Sequence, residues 1–192
     1  MGLRERNRVS AMHTTQRLAM QRFLEEGFTE VTVESIAAES GMAASTVFRH
    51  FGTKEQLVLW DEHEIELERC LAKRLGRQPP LLALRDAFNE TLAERYSADL
   101  DFQLQRIQYI YATTELHSAA VEADYRARTE LTDALKSTLS KPHRKNAALV
   151  AGAALLALDI AVGRWQDCDA AKPLSKCIND AFRDLLRLES IV

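Results

Sequence analysis

Glycine and proline are scarce in this chain, with seven and four among 192 residues. Collagenous, linker-like and turn-rich all-β proteins need far more of both, so those classes are excluded. Cysteine is scarcer still. Cys70, Cys168 and Cys177 are odd in number, widely spaced, and fit neither a C-x-x-C pair nor a zinc-ligand pattern, so no disulfide framework, metal or cofactor is expected. Charge of one sign is also missing. The 25 basic and 28 acidic side chains leave a net charge of −3 and a pI near 6.0, which over the whole chain speaks against a polyanionic partner. The most lipophilic stretch, residues 147–162, is interrupted by Asp159 and falls short of the roughly 20 residues that cross a bilayer. It reads as a buried helix. The opening MGLRERNRVS alternates charge with no apolar stretch behind it, so no export signal is read there and a cytoplasmic setting is expected.

What is present favours helix. Ala, Leu, Glu and Arg are abundant, 46% of residues are apolar, and the few breakers (Gly27, Gly41, Gly52, Gly76, Pro79-Pro80, Pro142 and Pro173) cut the chain into segments of helical period. The fold class expected is all-α, with about nine helices. The spacing predicts them over residues 7–26, 33–40, 43–51, 54–75, 80–97, 99–116, 118–139, 144–166 and 172–189. Thr15, Ala19 and Phe23 share a stripe on the first, Thr32 is placed to cap the second, and Gly27 and Gly41 to close the first two.

The informative window is FTEVTVESIAAESGMAASTVFRHFGTKEQL, residues 28–57. Two short helices meet there at a tight turn, Ser40-Gly41-Met42, which is helix-turn-helix spacing. Gly41 permits the sharp turn, and Ile36, Ala37 and Val47 are placed to hold the two helices together. The outer face of the second helix carries small polar residues, which let a backbone approach a major groove. Ser45 and Thr46 can bond base edges or phosphates, Arg49 and His50 can reach phosphates, and Lys54 stands where a helix N-terminus favours an anion.

At these residues the chain resembles the TetR family of bacterial transcriptional regulators, whose signature runs Gly-hydrophobic-Ser-x-x-Thr-hydrophobic-Tyr/Phe-x-His-Phe-x-x-Lys-Glu-x-Leu. Here Gly41 to Leu57 reads GMAASTVFRHFGTKEQL. The upstream stretch Phe28 to Ala37 also looks like the family, so the resemblance runs without a gap from about residue 8 to 57. The continuation Leu59-Trp60-Asp61-Glu62-His63 is similar to actinobacterial members with a mycofactocin-regulator-like domain. The resemblance implies a DNA-binding domain over residues 1–54 and a ligand-binding and dimerisation domain over 55–192. The DNA contacts it implies are Thr32, Ala44, Ser45, Thr46, Phe48, Arg49, His50 and Lys54. Two departures bear on docking. Ala43 replaces the usual Ser cap of the recognition helix, a loss of about 1 kcal/mol of local stability. Phe48 stands where many members carry Tyr, so a phosphate-binding hydroxyl is absent.

The C-terminal two-thirds carry no catalytic signature, and no enzyme is expected. His63-Glu64 begins like the zincin motif H-E-x-x-H, but position 67 is Leu, and the second ligand is missing. The acidic run 61–64 reads as a solvated face. The helix at 144–166 is apolar over too much of its circumference for one buried stripe, as expected if it packs on its own domain and on a second subunit together with the helix at 172–189. A monomer's central helix is the other reading. Phe102, Arg106, Tyr109 and Thr113 fall on one helical stripe, and with Tyr125, Asp159 and Trp165 they are the candidate effector pocket. Plain core is the alternative for such aromatics. Asp159 should pair, Arg106 being one candidate.

The sequence thus predicts a homodimeric regulator, a repressor that binds double-stranded operator DNA with an inverted repeat and is released by a small hydrophobic or aromatic effector. No membrane partner is expected. A helical small-molecule-binding protein without specific DNA binding is the runner-up, and an all-α enzyme the remote third. The net charge conceals an asymmetry that supports the first reading. Through residue 24 there are five arginines and one acid, whereas the rest of the chain carries a net −7.

Overall fold

The computed structural model describes residues 2–187, without the side chains of residues 63–65 and 142–143. It is helical, with no strand among the described residues. The helices are α1 (Leu3–Glu26), α2 (Val33–Ser40), α3 (Ala44–Phe51), α4 (Gln56–Leu59), α5 (His63–Arg74), α6 (Pro80–Phe88), α7 (Glu94–Ala98), α8 (Leu100–Ala112), α9 (Thr114–Thr138), α10 (Ala147–Asp167) and α11 (Leu174–Leu186). A π-helical segment, Asn89–Ala93, joins α6 to α7, and a 3₁₀ segment, Lys141–Asn146, leads into α10. The all-α expectation holds. The last three residues of the helix expected at 172–189 start at 187, and 188 and 189 lie outside the described residues.

Two compact units divide the chain. The first runs to Glu62 and includes Tyr109–Ala120, and the second holds His63–Gln108 and the residues from Val121 on. In the first unit α1 buries Val9, Met12, Thr15, Ala19 and Phe23, which recur at helical spacing. α2, which buries Val33, Ile36 and Ala37, packs against α1, and α3, which buries Val47 and Phe51, packs against α2. Thr32 caps α2 by accepting from the Ser35 amide at 3.1 Å. Gly41, at φ 70°, takes the left-handed conformation that ends it, and the Gly41 and Met42 amides return to carbonyls of the last turn. Gly27 also closes a helix at positive φ, but with ψ 148° it is extended and not left-handed helical.

The single long helix expected over 54–75 does not form. α4 stops at Leu59, Trp60 is extended at ψ 130°, and α5 begins at His63. No glycine or proline causes the break. Gln16 of α1 does, because its Nε2 donates to the Val58 and Trp60 carbonyls at 3.2 and 2.8 Å, satisfying groups that a continuing helix would have used. The Trp60 ring then packs edge-on against His13 and Phe51, at 4.9 and 6.0 Å between centroids. A second boundary also differs. The turn expected near residue 117 falls at Thr113, between α8 and α9.

The second unit is built on Ala83, Leu84, Phe88, Leu92 and Tyr96, packed with Trp165, Leu174, Ile178 and Phe182. Phe88 and Phe182 meet at 6.2 Å. α10 turns inward with Ala147, Ala151, Ala154 and Ala161, small enough to let α11 approach closely. With its 3₁₀ lead-in, residues 144–167 are long and apolar enough to cross a bilayer by length and composition, more than the sixteen-residue reading allowed. The alanine stripe instead faces protein.

Candidate nucleic-acid interface

α3 has two unlike faces. Val47 and Phe51 are buried, while Ser45, Phe48 and Arg49 are exposed and Ala44, Thr46 and His50 half-buried. The inner pair fixes the helix and leaves the outer row free to meet a partner. Arg49 Nη2 lies 3.4 Å from Thr46 Oγ1, one turn back on the same face. Phe48 presents a bare ring, 42% exposed.

The N-cap of α3 is Ala43, extended at ψ 138°, with no side-chain acceptor. The Thr46 amide closes instead onto the Ala43 carbonyl at 2.8 Å. Thr32 does have its cap bond, so its hydroxyl serves α2 first and keeps its proton for an outside acceptor.

His50 is electrostatically distinct. Its Nδ1 is buried without a hydrogen-bond partner, and its pKa is pushed below the ordinary value, mainly by burial and then by the charges of Arg49 and Arg8. At neutral pH it is therefore a neutral imidazole. The influence of Arg8 also places the start of α1 near the end of α3. Arg4 and Arg6 in that stretch are exposed, Arg8 pairs with Glu5, and Arg22 is held by Glu26 and Glu39. Lys54 is engaged elsewhere: its Nζ donates to the Thr29 carbonyl at 3.3 Å and stands over the Phe28 ring, 4.5 Å from the centroid.

The seven residues expected around an effector are divided between the two units. Tyr109 and Thr113 belong to the first unit, where the Tyr109 hydroxyl donates to the Phe23 carbonyl at 3.0 Å. Phe102, Arg106, Tyr125, Asp159 and Trp165 belong to the second. Two of these are brought together through a residue the sequence reading missed. Arg106 donates to the Tyr96 hydroxyl at 3.0 Å and to Gln103 Oε1 at 3.0 Å, and the Tyr96 ring lies 5.5 Å from that of Trp165. Tyr96 escapes a regular helical reading because the π-helical segment before it shifts the register.

Asp159 and Tyr125 lie on exposed surface, so Asp159 is not enclosed in an apolar helix as expected. Its neighbour is Asp124, whose pKa is raised by burial and then by the Asp159 charge. Asp124 keeps solvent access while standing amid enough protein to be poorly hydrated. A cavity of about 240 Å³ opens beside Trp165, walled by Tyr96, Leu100, Pro173 and Leu174 among others. Of the seven, Trp165 alone lines it.

Residues 17–59 match the family model of the bacterial regulatory proteins of the TetR family, and residues 78–188 match that of the MftR C-terminal domain. The regulator TcmR of Streptomyces glaucescens is 31% identical over 102 residues, which are 52% of this chain and 45% of that protein. The putative mycofactocin biosynthesis regulator MftR of Mycobacterium tuberculosis is 28% identical over 116 residues, 59% of this chain and 58% of MftR. The matches span about half the length of these curated relatives. Among solved structures, the Thermus thermophilus repressor FadR in complex with lauroyl-CoA aligns with TM-score 0.55 at 24% identity, over 92% of this chain and 93% of that one. NalD, the secondary repressor of the MexAB-OprM efflux pump in Pseudomonas aeruginosa, aligns with TM-score 0.56 at 17% identity, over 95% and 96%. The structural likeness extends to the fold. With the second family model covering more than half of its residues, the chain belongs to the TetR family of bacterial transcriptional regulators, with a C-terminal domain of the MftR type.

Proposed function

We propose that the chain is a cytoplasmic homodimeric repressor that binds a palindromic operator through residues 1–54 and is released when a small hydrophobic or aromatic effector binds within residues 55–192. The division of α3 carries the reading: Val47 and Phe51 anchor it, and Ala44, Ser45, Thr46, Phe48, Arg49 and His50 form the row that meets the duplex, with Thr32 at the start of α2 beside them. The exposed arginines at the start of α1 add a sequence-independent attraction to phosphate. Two-fold pairing through α10 and α11 would set two copies of α3 about 34–36 Å apart, the repeat of successive major grooves. The exposed Leu149, Leu156 and Ile160 on α10 support that pairing. Arg106 and Trp165, joined by Tyr96, are the best-supported part of the effector site, to which Phe102, Tyr125 and Asp159 on the same unit are added.

Release requires only that the effector bind the DNA-free arrangement better, since equal affinity for both states shifts nothing. No continuous helix from Lys54 carries the signal, because the chain breaks at Trp60. Selection of bound duplexes from a random pool tests the proposal. An inverted repeat is expected, and a pool that stays unenriched overturns it. With the selected site in hand, Arg49→Ala should reduce the slope of log affinity against log salt by about 0.9, the value for one lost phosphate contact.

A further inference from the structure

We propose that the cavity beside Trp165 binds a compact, neutral organic molecule with one carbonyl oxygen, an aryl ketone in size, which accepts from the Trp165 indole N–H. This deepens the effector reading above and rests on it for the effect on DNA. The cavity, of about 240 Å³, has a buried floor of Tyr96, Trp165 and Leu174 and an exposed rim that includes Ser97, Leu100 and Pro173. These walls all belong to the second unit. Trp165 is wholly buried, yet its Nε1 finds no acceptor in the protein. A buried donor left unmet costs more than a made hydrogen bond returns, so an acceptor arriving through the cavity supplies what the protein does not.

The walls set the chemistry of the occupant. No charged side chain is among the described residues that line the cavity, so a carboxylate or an ammonium would enter without a counter-charge and lose its hydration. Arg106 is not on the wall, and its guanidinium donates to the Tyr96 hydroxyl at 3.0 Å. The Ser97 hydroxyl gives its proton to the Ala93 carbonyl at 2.9 Å. The indole is thus the donor that the wall still offers. For size, a cavity of roughly 150 Å³ holds benzene, so this one holds about ten non-hydrogen atoms, one ring with a short carbonyl substituent. Ala170 also lines the cavity, and its neighbour Asp169 accepts from Gln108 Nε2 of α8 at 2.9 Å. The next residue of α8, Tyr109, belongs to the first unit, where it donates to the Phe23 carbonyl. An occupant that shifts this loop therefore acts on a helix that continues into the DNA-binding unit.

The test is a proton–nitrogen correlation spectrum of the full-length protein, whose two tryptophans, Trp60 and Trp165, give two indole signals; Trp165→Phe assigns them. Acetophenone should move the Trp165 indole proton downfield in a saturable titration and leave that of Trp60 in place. Ethylbenzene, of similar shape but without the oxygen, should bind about fivefold more weakly, the net worth of one neutral hydrogen bond, and cause no downfield shift. Ala171→Phe, which fills the exposed rim and keeps both indoles, should abolish the response to acetophenone. A Trp165 signal that acetophenone leaves unmoved overturns the site, as does equal binding of ethylbenzene or a response that survives Ala171→Phe. On the selected duplex, acetophenone should weaken binding by the wild type. Unchanged DNA affinity with the Trp165 shift present defeats the effector reading alone, and the indole signal still decides the site.

Discussion

Restoring a cap to the recognition helix is the sharpest single perturbation the structure offers. Ala43 sits at the N-cap of α3 with φ −66° and ψ 138°, a backbone that serine adopts without strain, and it is exposed, so a hydroxyl meets no steric barrier. Ala43→Ser would place an acceptor before the free amides of the first turn. A serine cap is ordinarily worth about 1 kcal/mol over alanine, within a range of roughly 0.5–2. Here the gain belongs at the lower end, because the Thr46 amide already closes on the Ala43 carbonyl at 2.8 Å. About 0.5–1 kcal/mol corresponds to a rise in melting temperature of roughly 1–4 °C for a protein of this size. The assay is thermal unfolding at fixed protein concentration, since any dimer makes the midpoint concentration-dependent. Thr32→Ala is the internal standard: it removes a cap bond that does exist, at 3.1 Å, and should lower stability by about 1 kcal/mol. A Thr32→Ala loss of that size with no gain from Ala43→Ser would refute the reasoning, because it would mean that the first-turn amides of α3 are already satisfied.

Tyr109→Phe should cost about 0.5–1 kcal/mol in thermal or denaturant unfolding; the low figure follows because the Phe23 carbonyl also accepts from the Gly27 amide at 2.9 Å and is not left bare. Asp124→Asn should stabilise the protein at neutral pH. The carboxyl's pKa is raised by burial and by Asp159, so its charged form penalises the folded state above the folded pKa, and the penalty fades as pH falls through that value. A gain that persists below pH 3 would contradict the assignment. His50 runs in the same direction as a paired acid: with its pKa lowered, the wild type should lose stability as pH falls below about 6.5, the unperturbed histidine value, and His50→Gln should flatten that decline. On the proposed two-fold pairing, Leu156→Glu, at a residue 57% exposed, should sediment as a monomer where the wild type sediments as a dimer, without a change in circular dichroism.

The parts of the fold that could be read in advance are those fixed by neighbours in the chain. Thr32 caps, Gly41 turns, and Val47 and Phe51 face inward, all within a few residues of one another. The features that could not be read are imposed from far along the chain. Gln16 meets the carbonyl of Trp60 at the break from 44 positions away. The contact of Lys54 with Phe28 and Thr29, 26 and 25 positions back in the chain, is of the same kind. Tyr96 is displaced from a regular stripe by the π-helical segment, and the stripe drawn through Phe102, Arg106, Tyr109 and Thr113 ends early because α8 stops at Ala112. The pI misleads for a similar reason, since an average over the chain hides five arginines among the first 24 residues.

α10 shows how a pattern too uniform for sequence reasoning is resolved by size. Its composition is apolar on nearly every side, so periodicity cannot say which stripe is core. The structure puts Ala147, Ala151, Ala154 and Ala161 inside and leaves Leu149, Leu156 and Ile160 at 73%, 57% and 40% exposure. A helix serving one core alone would place its larger side chains inward, where each is worth roughly 1.5–3 kcal/mol. The small residues are instead what allow α11 to come close; of the large ones Trp165, near the end of the helix, is wholly buried, and Leu149, Leu156 and Ile160 are left for another surface. On the proposed two-fold pairing, three such side chains from each protomer would yield on the order of 5–10 kcal/mol once their exposure is taken into account. Association itself costs an estimated 4–15 kcal/mol, so α10 alone stands near the break-even point. A stable dimer must therefore also draw on α11, where Leu186 is 54% exposed at the end of the helix that the alanine stripe holds in place.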